Sequence, residues 1–204
     1  MPEDLDPNKE LIIVPLNTEQ RTSIFEGLGE LIREEFSMKY SIVRVDSPFF
    51  IFSVDSSRRL EKYNADALIL DSLLGGSGLF RSLFERYRTQ HVLAVTDMYL
   101  TKYNGELNEG AINKARDKAA ISCARFKDDD PEKILERLSG LALHEVGHLH
   151  WLKEHVHKSQ NGKYCPMISG EYLLKPLGFV STDIKKFDCL DNKLCSDCKN
   201  YLMS

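Results

Sequence analysis

The chain predicts an α/β fold: a mixed sheet flanked by helices, one long helix, and a small irregular C-terminal lobe. Three observations carry this expectation. Apolar β-branched runs alternate with helically spaced ones as far as residue 126. Asp130-Pro131-Glu132 then opens the longest periodic stretch in the sequence. Finally, Cys165, Cys189, Cys195 and Cys198, four of the five cysteines, fall in the last fifth of the 204 residues. A chain of this length is expected to form one domain over residues 1–204. Its N-terminal α/β lobe, with the long helix, covers about 1–153, and its C-terminal lobe about 154–204.

Residues 10–16 (ELIIVPL) read as a buried strand, and residues 18–36 place Ile24, Leu28, Leu31 and Ile32 at helical spacing. Residues 40–45 (YSIVRV) alternate as a second strand. Residues 66–74 are apolar without a deciding period, Gly75-Gly76-Ser77-Gly78 breaks the chain, and 79–87 read as helical. No Lys-Ser or Lys-Thr follows those glycines, so they are not a phosphate loop. Residues 91–98 (HVLAVTDM) and 118–126 (KAAISCARF) read as buried strands, with a polar, turn-rich segment between them. Cys123, inside the second of these, reads as a small core residue. Asp130 is a capping acid, Pro131 fits the first helical position, and Ile134, Leu135, Leu138, Leu141 and Leu149 mark one apolar stripe. After Lys158 the sequence turns loop-rich.

Composition excludes several classes. At 42% hydrophobic and 28% charged the chain is an ordinary globular sequence, and a net charge of -4 gives no footprint for nucleic acid or for an anionic membrane surface. No apolar run approaches the roughly 20 residues that span a bilayer. The acidic N-terminus lacks the basic-then-apolar order of a secretory signal, which predicts a cytoplasmic protein. In a reducing compartment a late cysteine cluster with Cys195-x-x-Cys198 reads as a structural zinc site rather than as disulfides.

The long helix contains His144-Glu145-Val146-Gly147-His148. Histidines four apart lie about 40° apart round a helix and one turn apart along it, so both imidazoles can reach one ion. Glu145 then stands beside the ion, placed to take a proton from a metal-bound water and pass it on. A catalytic zinc takes a third protein ligand and keeps one open position. His150, two residues beyond His148, points elsewhere. Glu154, His155 and His157 are the candidates, and all three require the chain to turn after about Trp151.

Residues 141–167 resemble the metzincin metallopeptidases, whose motif is HExxHxxGxxH followed by a methionine turn. Within these the chain is most similar to the archaemetzincins, which add a cysteine after the third histidine, then C-x-M, then a C-terminal CxxC. Cys165-Pro166-Met167 and Cys195-Ser196-Asp197-Cys198 match the last two. Residues 91–100 and 118–126 resemble the family's strands ahead of the active-site helix. The likeness covers about 92–198.

Two departures bear on the site. In strict register Trp151 stands at the motif glycine and Glu154 at the third histidine. Glycine permits the left-handed turn that ends such a helix, whereas tryptophan there is strained. A one-residue insertion relieves that strain and makes His155 the third ligand, with Glu154 and His157 as alternatives. Val156 replaces the family's cysteine, and Cys189 restores the count to give Cys165, Cys189, Cys195 and Cys198 as a structural zinc site.

The resemblance thus implies a metzincin-like zinc metallopeptidase holding two zinc ions, one catalytic and one structural, with Glu145 as general base and Met167 as a floor under the catalytic zinc. It implies peptide or protein substrates, aminopeptidase action among the options, with no nucleic-acid or membrane partner. Residues 104–113 are expected to offer an edge for an extended peptide. Tyr164 and Tyr172 flank the methionine turn as candidate hydrogen-bond donors. The competing reading is a catalytically inactive zinc-binding or peptide-binding module of the same fold.

Overall fold

A computed structural model describes residues 10–16, 18–44, 67–69, 90–101, 107–158, 162–169, 173 and 185–204. Strand β1 (Leu11–Leu16) is flanked in parallel by β2 (Tyr40–Ile42) and by β4 (His91–Thr96). β4 pairs in parallel with β8 (Lys118–Ser122), which pairs antiparallel with β7 (Gly110–Ile112). The sheet order is therefore β2-β1-β4-β8-β7, a mixed sheet whose last strand lies at an edge. Between β2 and β4 comes β3 (Ala67–Ile69), which joins β5 (Tyr99–Thr101) and β6 (Leu107–Asn108) in a second, three-stranded sheet.

Alternation along the strands sends side chains to two faces. Leu11, Ile13, Leu93, Val95, Ala119 and Ile121 face the helices, while Ile12, Val14, Leu16, Val92, Ala94 and Ala120 form a separate cluster on the other face. Burial on both faces is why β1 and β4 read as nearly continuous apolar runs. Helix α1 (Thr22–Phe36) and helix α2 (Pro131–Leu149) pack against the first face and each other. Ile24, Phe25, Leu28 and Ile32 from α1 meet Ile134, Leu138, Ala142 and Val146 from α2 there. Asp130 caps α2 by accepting from the Lys133 amide at 3.0 Å, with Pro131 opening the helix. α1 begins four residues later than its apolar period predicts, without a side-chain cap.

The tail is tied to this frame. Short helix α3 (Lys185–Asp188) is held by Arg137 of α2, whose guanidinium donates to Asp188 Oδ1 at 2.8 Å and Oδ2 at 3.2 Å and also pairs with Asp129. Helix α4 (Ser196–Met203) lies near α1, where the Glu35 carboxylate accepts from the Leu194 amide at 2.8 Å and pairs with Lys199. Cys123 is fully buried within the core, as expected of a small apolar residue. The glycine run 75–78, the helical stretch 79–87 and Tyr172 lie outside the described residues; of residues 66–74, only the strand 67–69 lies within them.

Candidate metal centre

Helix α2 presents His144 and His148 one turn apart with their Nε2 atoms 3.1 Å apart and their rings near perpendicular, at 85°. His144 Nδ1 lies 2.8 Å from the Pro166 carbonyl oxygen. A carbonyl only accepts, so Nδ1 carries the proton and Nε2 presents a lone pair. Burial, together with neighbouring His144, pushes the His148 pKa down to about 4, so the His148 ring is neutral at pH 7. Two imidazoles converging on one point make a ligand pair for a cation.

The third group is set by how the helix ends. Trp151 takes φ 61, in the left-handed region. Its amide donates to the His148 carbonyl at 3.1 Å, and the Leu152 amide donates to Gly147 at 2.9 Å. These are the two reversed bonds of a Schellman cap, and buried Leu152 supplies the hydrophobic contact that accompanies it. Arg116 braces the turn by donating to the His148 carbonyl at 3.2 Å and stacking over the Trp151 ring at 4.3 Å. The turn therefore closes in strict register, with tryptophan standing where the motif has glycine.

This corrects the expected insertion. The carboxylate of Glu154, not His155, joins His144 and His148, its Oε1 3.7 Å from His148 Nε2. His155, one residue on, is turned to the other side of the chain. Its amide donates to the Met167 carbonyl at 2.9 Å, and its Nε2 lies 3.2 Å from Cys195 Sγ and 3.8 Å from Cys198 Sγ. With Cys165 these form a second cluster, His155, Cys165, Cys195 and Cys198. His155 Nδ1 donates to the Lys153 carbonyl at 3.1 Å, again leaving the Nε2 lone pair toward the cluster.

Cys189, expected among the four, lies outside that group, with Sγ 3.7 Å from the Lys185 carbonyl. His157 is exposed and sits at the cluster's rim, its Nδ1 3.1 Å from Asp197 and 3.9 Å from Cys195 Sγ. The three thiols compete for protons. The hydrogen bond with Cys198 pulls Cys165 down to about 5; the same contact raises Cys198, and burial raises Cys195. One ionised sulfur beside two that resist ionising is an arrangement a bound cation relieves.

Glu145 is buried, and that burial pushes its pKa up to about 7. Its carboxylate rests on the edge strand: a methyl at Gly110 would stand 2.4 Å from Glu145 Oε1. Met167 is fully buried beneath the helix, with Sδ so near Gly147 that a methyl there would stand 2.3 Å away. A cavity of about 430 Å³ opens onto His144, Glu145 and Glu154, with Gly110 and Pro166 in its wall. Tyr164 is buried and pairs through its backbone with Cys189 and Asp191, under the Lys158 ammonium. Glu109 and Gly110 fall within the segment 104–113 expected as a peptide edge, but no motif marks either of them, or Lys186, individually.

No sequence-family profile and no curated protein matches this chain. Three solved structures share its fold. An archaemetzincin from Methanopyrus kandleri is 21% identical with TM-score 0.60, over 97% of this chain and 94% of the other. An archaemetzincin from Archaeoglobus fulgidus, complexed with malonate, is 18% identical with TM-score 0.61, over 94% and 99%. A zinc-dependent peptidase from Methanocorpusculum labreanum is 15% identical with TM-score 0.57, over 94% and 99%. The chain has the archaemetzincin fold, with the cysteine cluster near its C-terminus. Among the described residues no helix is long and apolar enough to cross a membrane.

Proposed function

We propose that this chain is a zinc metallopeptidase in which His144, His148 and Glu154 hold the catalytic zinc and Glu145 is the general base. The same reading assigns His155, Cys165, Cys195 and Cys198 to a structural zinc, two ions per chain in all. The observation that carries it is the convergence of two imidazoles and one carboxylate beside a buried glutamate at the mouth of a cavity. The donor chemistry fits. Zinc with bonds of about 2.0–2.1 Å in tetrahedral geometry spaces its nitrogens about 3.3 Å apart. The Nε2 atoms here are 3.1 Å apart. Two histidines and one glutamate are an established catalytic zinc set, and three thiolates with one imidazole an established structural one.

Bound there, zinc supplies a Lewis acid that brings the pKa of its water toward about 7. Glu145 does the proton work. Seated against Gly110, its carboxylate takes a proton from the attacking water and returns it to the leaving amine. The Pro166 carbonyl fixes the tautomer and orientation of His144. Strand β7, the last strand of its sheet among the described residues, offers a backbone edge along which an extended peptide substrate can lie.

The test joins metal content to hydrolysis. Purified wild type should carry two zincs per chain, and a His144→Ala/His148→Ala variant one. Glu145→Gln should keep both while hydrolysis of a mixed peptide library falls by about 10²–10⁴-fold. The cleaved ends, read by mass spectrometry, separate aminopeptidase from endopeptidase action. Wild type that holds two zincs and cleaves nothing across the library would replace this reading with the inactive zinc-binding module.

A further inference from the structure

The end of α2 brings two strained residues into contact. Among the described residues three non-glycines take φ in the left-handed region: Ser37, Arg116 at φ 53 and Trp151 at φ 61. Arg116 and Trp151 face each other, the guanidinium 4.3 Å from the centre of the indole. Such conformations persist where the surroundings over-determine them, and they gather at working sites. Arg116 is held in this way. It lies in the turn between β7 and β8, where the Asn113 side chain accepts from the Asp117 and Lys118 amides, each at 3.1 Å. The Asn113 carbonyl accepts from the Arg116 amide at 3.1 Å. From this anchored turn the guanidinium reaches α2 and donates to the His148 carbonyl at 3.2 Å.

The residue that depends on this turn has little else to hold it. The Glu154 side chain is 42% exposed, and the ion pair it makes among the described residues is to His148 Nε2 at 3.7 Å. Its position is therefore set by the backbone on either side. One anchor is the Trp151 turn; the other is His155, whose amide donates to the Met167 carbonyl at 2.9 Å. Loosening the first anchor frees the carboxylate to leave the histidine pair. A full one-residue slip would exchange Glu154 and His155, because neighbours in an extended chain point to opposite sides. Glycine at 151 would take the left-handed angle without strain, whereas tryptophan takes it only against a partner.

We propose that Arg116 is a positioning residue for the helix metal site: by bracing Trp151 it keeps the Glu154 carboxylate beside His144 and His148. The inference rests on the assignment of Glu154 to zinc. It adds to that assignment the residue, outside the motif, on which the third ligand depends.

Cobalt titration of the helix site tests it, on protein whose cysteine cluster stays filled with zinc so that no thiolate charge-transfer bands appear. Arg116→Ala should weaken cobalt binding by about tenfold or more and change the intensity of the visible bands, as the loss of a group that orients a ligand does. Arg116→Lys keeps the charge and a donor but loses the planar stack, so its affinity should fall between the two. Adding Trp151→Gly to Arg116→Ala should recover most of the affinity, because glycine needs no brace. A fold weakened in general would not be rescued in this way. Adding Arg116→Ala to Glu154→Ala should cost nothing further. Wild-type affinity in Arg116→Ala, no recovery with Trp151→Gly, or a further loss on top of Glu154→Ala overturns the proposal. Where Arg116→Ala does not fold, Arg116→Lys with and without Trp151→Gly supplies the same comparison. The zinc assignment is scored separately. Wild-type affinity in Glu154→Ala removes the carboxylate from the site and the proposal with it. A weakened Glu154→Ala beside an unaltered Arg116→Ala removes the proposal alone.

Discussion

Glu145 of α2 and Gly110 of the edge strand meet with no room for a side chain at the glycine. The Gly110 backbone is fixed by its ladder to β8, with Gly110 opposite Ile121, so a side chain added there cannot retreat. The Glu145 carboxylate, 2.4 Å from the added methyl, must move instead. Gly110→Ala is therefore expected to lower kcat by about 10²-fold, in line with an ångström-scale misplacement of a catalytic group, while zinc content stays at the wild-type level. Unaltered turnover in that variant would show that the glutamate does not depend on this seat. Glu154 and His155 make a second residue-scale test, because neighbouring side chains are assigned to different ions. Glu154→Ala should reduce metal bound at the helix, and His155→Ala metal bound at the cysteines. Cobalt substitution tells them apart, since only thiolate ligation gives intense near-ultraviolet charge-transfer bands. Thiolate bands lost in Glu154→Ala but kept in His155→Ala would reverse the assignment.

At the scale of elements, the end of α2 decides which residue faces which cluster. A non-glycine residue in the left-handed region costs about 1–2 kcal/mol. The Arg116 stack on Trp151 returns about 0.5–1 kcal/mol at a partly exposed site. Trp151→Gly removes both terms and should leave the melting temperature within a few degrees of wild type. Trp151→Ala keeps the strain and loses the stack, so calorimetry should find it less stable than Trp151→Gly by about 1 kcal/mol. A second element-scale prediction concerns Arg137, which clamps α3. Its guanidinium holds the Asp188 carboxyl below its usual range. A depressed carboxylate contributes stability above its unfolded pKa of about 3.9 and loses it as pH falls through the folded value. Arg137→Met should destabilise by about 2 kcal/mol at pH 7, and its stability should fall less steeply below about pH 4 than that of wild type. Parallel acid-unfolding slopes in the two proteins would show that the clamp does not set this dependence. The cap at Asp130, the histidine pair and the strand periods were legible because each is encoded within a few consecutive residues. The helix end was not. The strain on Trp151 follows from its residue type, but Arg116, which braces it, lies 35 positions upstream. A one-residue insertion in the turn would set His155 beside His144 and His148 and count Cys189 among the clustered cysteines, whereas the structure groups His155 with Cys165, Cys195 and Cys198.

Across the whole molecule, short segments between residues 144 and 198 are drawn around two neighbouring clusters. The HExxH helix carries the two converging imidazoles, the segment after it carries Glu154 and His155 on opposite sides of one peptide bond, and the segment 165–167 serves both clusters. Cys165 belongs to the thiol group, its neighbour Pro166 orients His144, and Met167 lies beneath Gly147 while its carbonyl accepts from the His155 amide. The tail that brings Cys195 and Cys198 is in turn pinned to α1 through Glu35, itself buried. The two side-chain clusters therefore share a scaffold of consecutive residues, and on the proposed two-zinc reading emptying one should loosen the other. A Cys195→Ser/Cys198→Ser variant should lose the cysteine-held metal outright. It should also weaken zinc at His144, His148 and Glu154 by about 10–100-fold, the usual consequence of disturbing groups that orient ligands. Chelator competition monitored by zinc release measures the second effect independently of any hydrolysis. An unchanged affinity at the helix would mean that α2 and its braced Trp151 turn hold Glu154 in place unaided. The thiol cluster would then serve only to fasten the tail to the core.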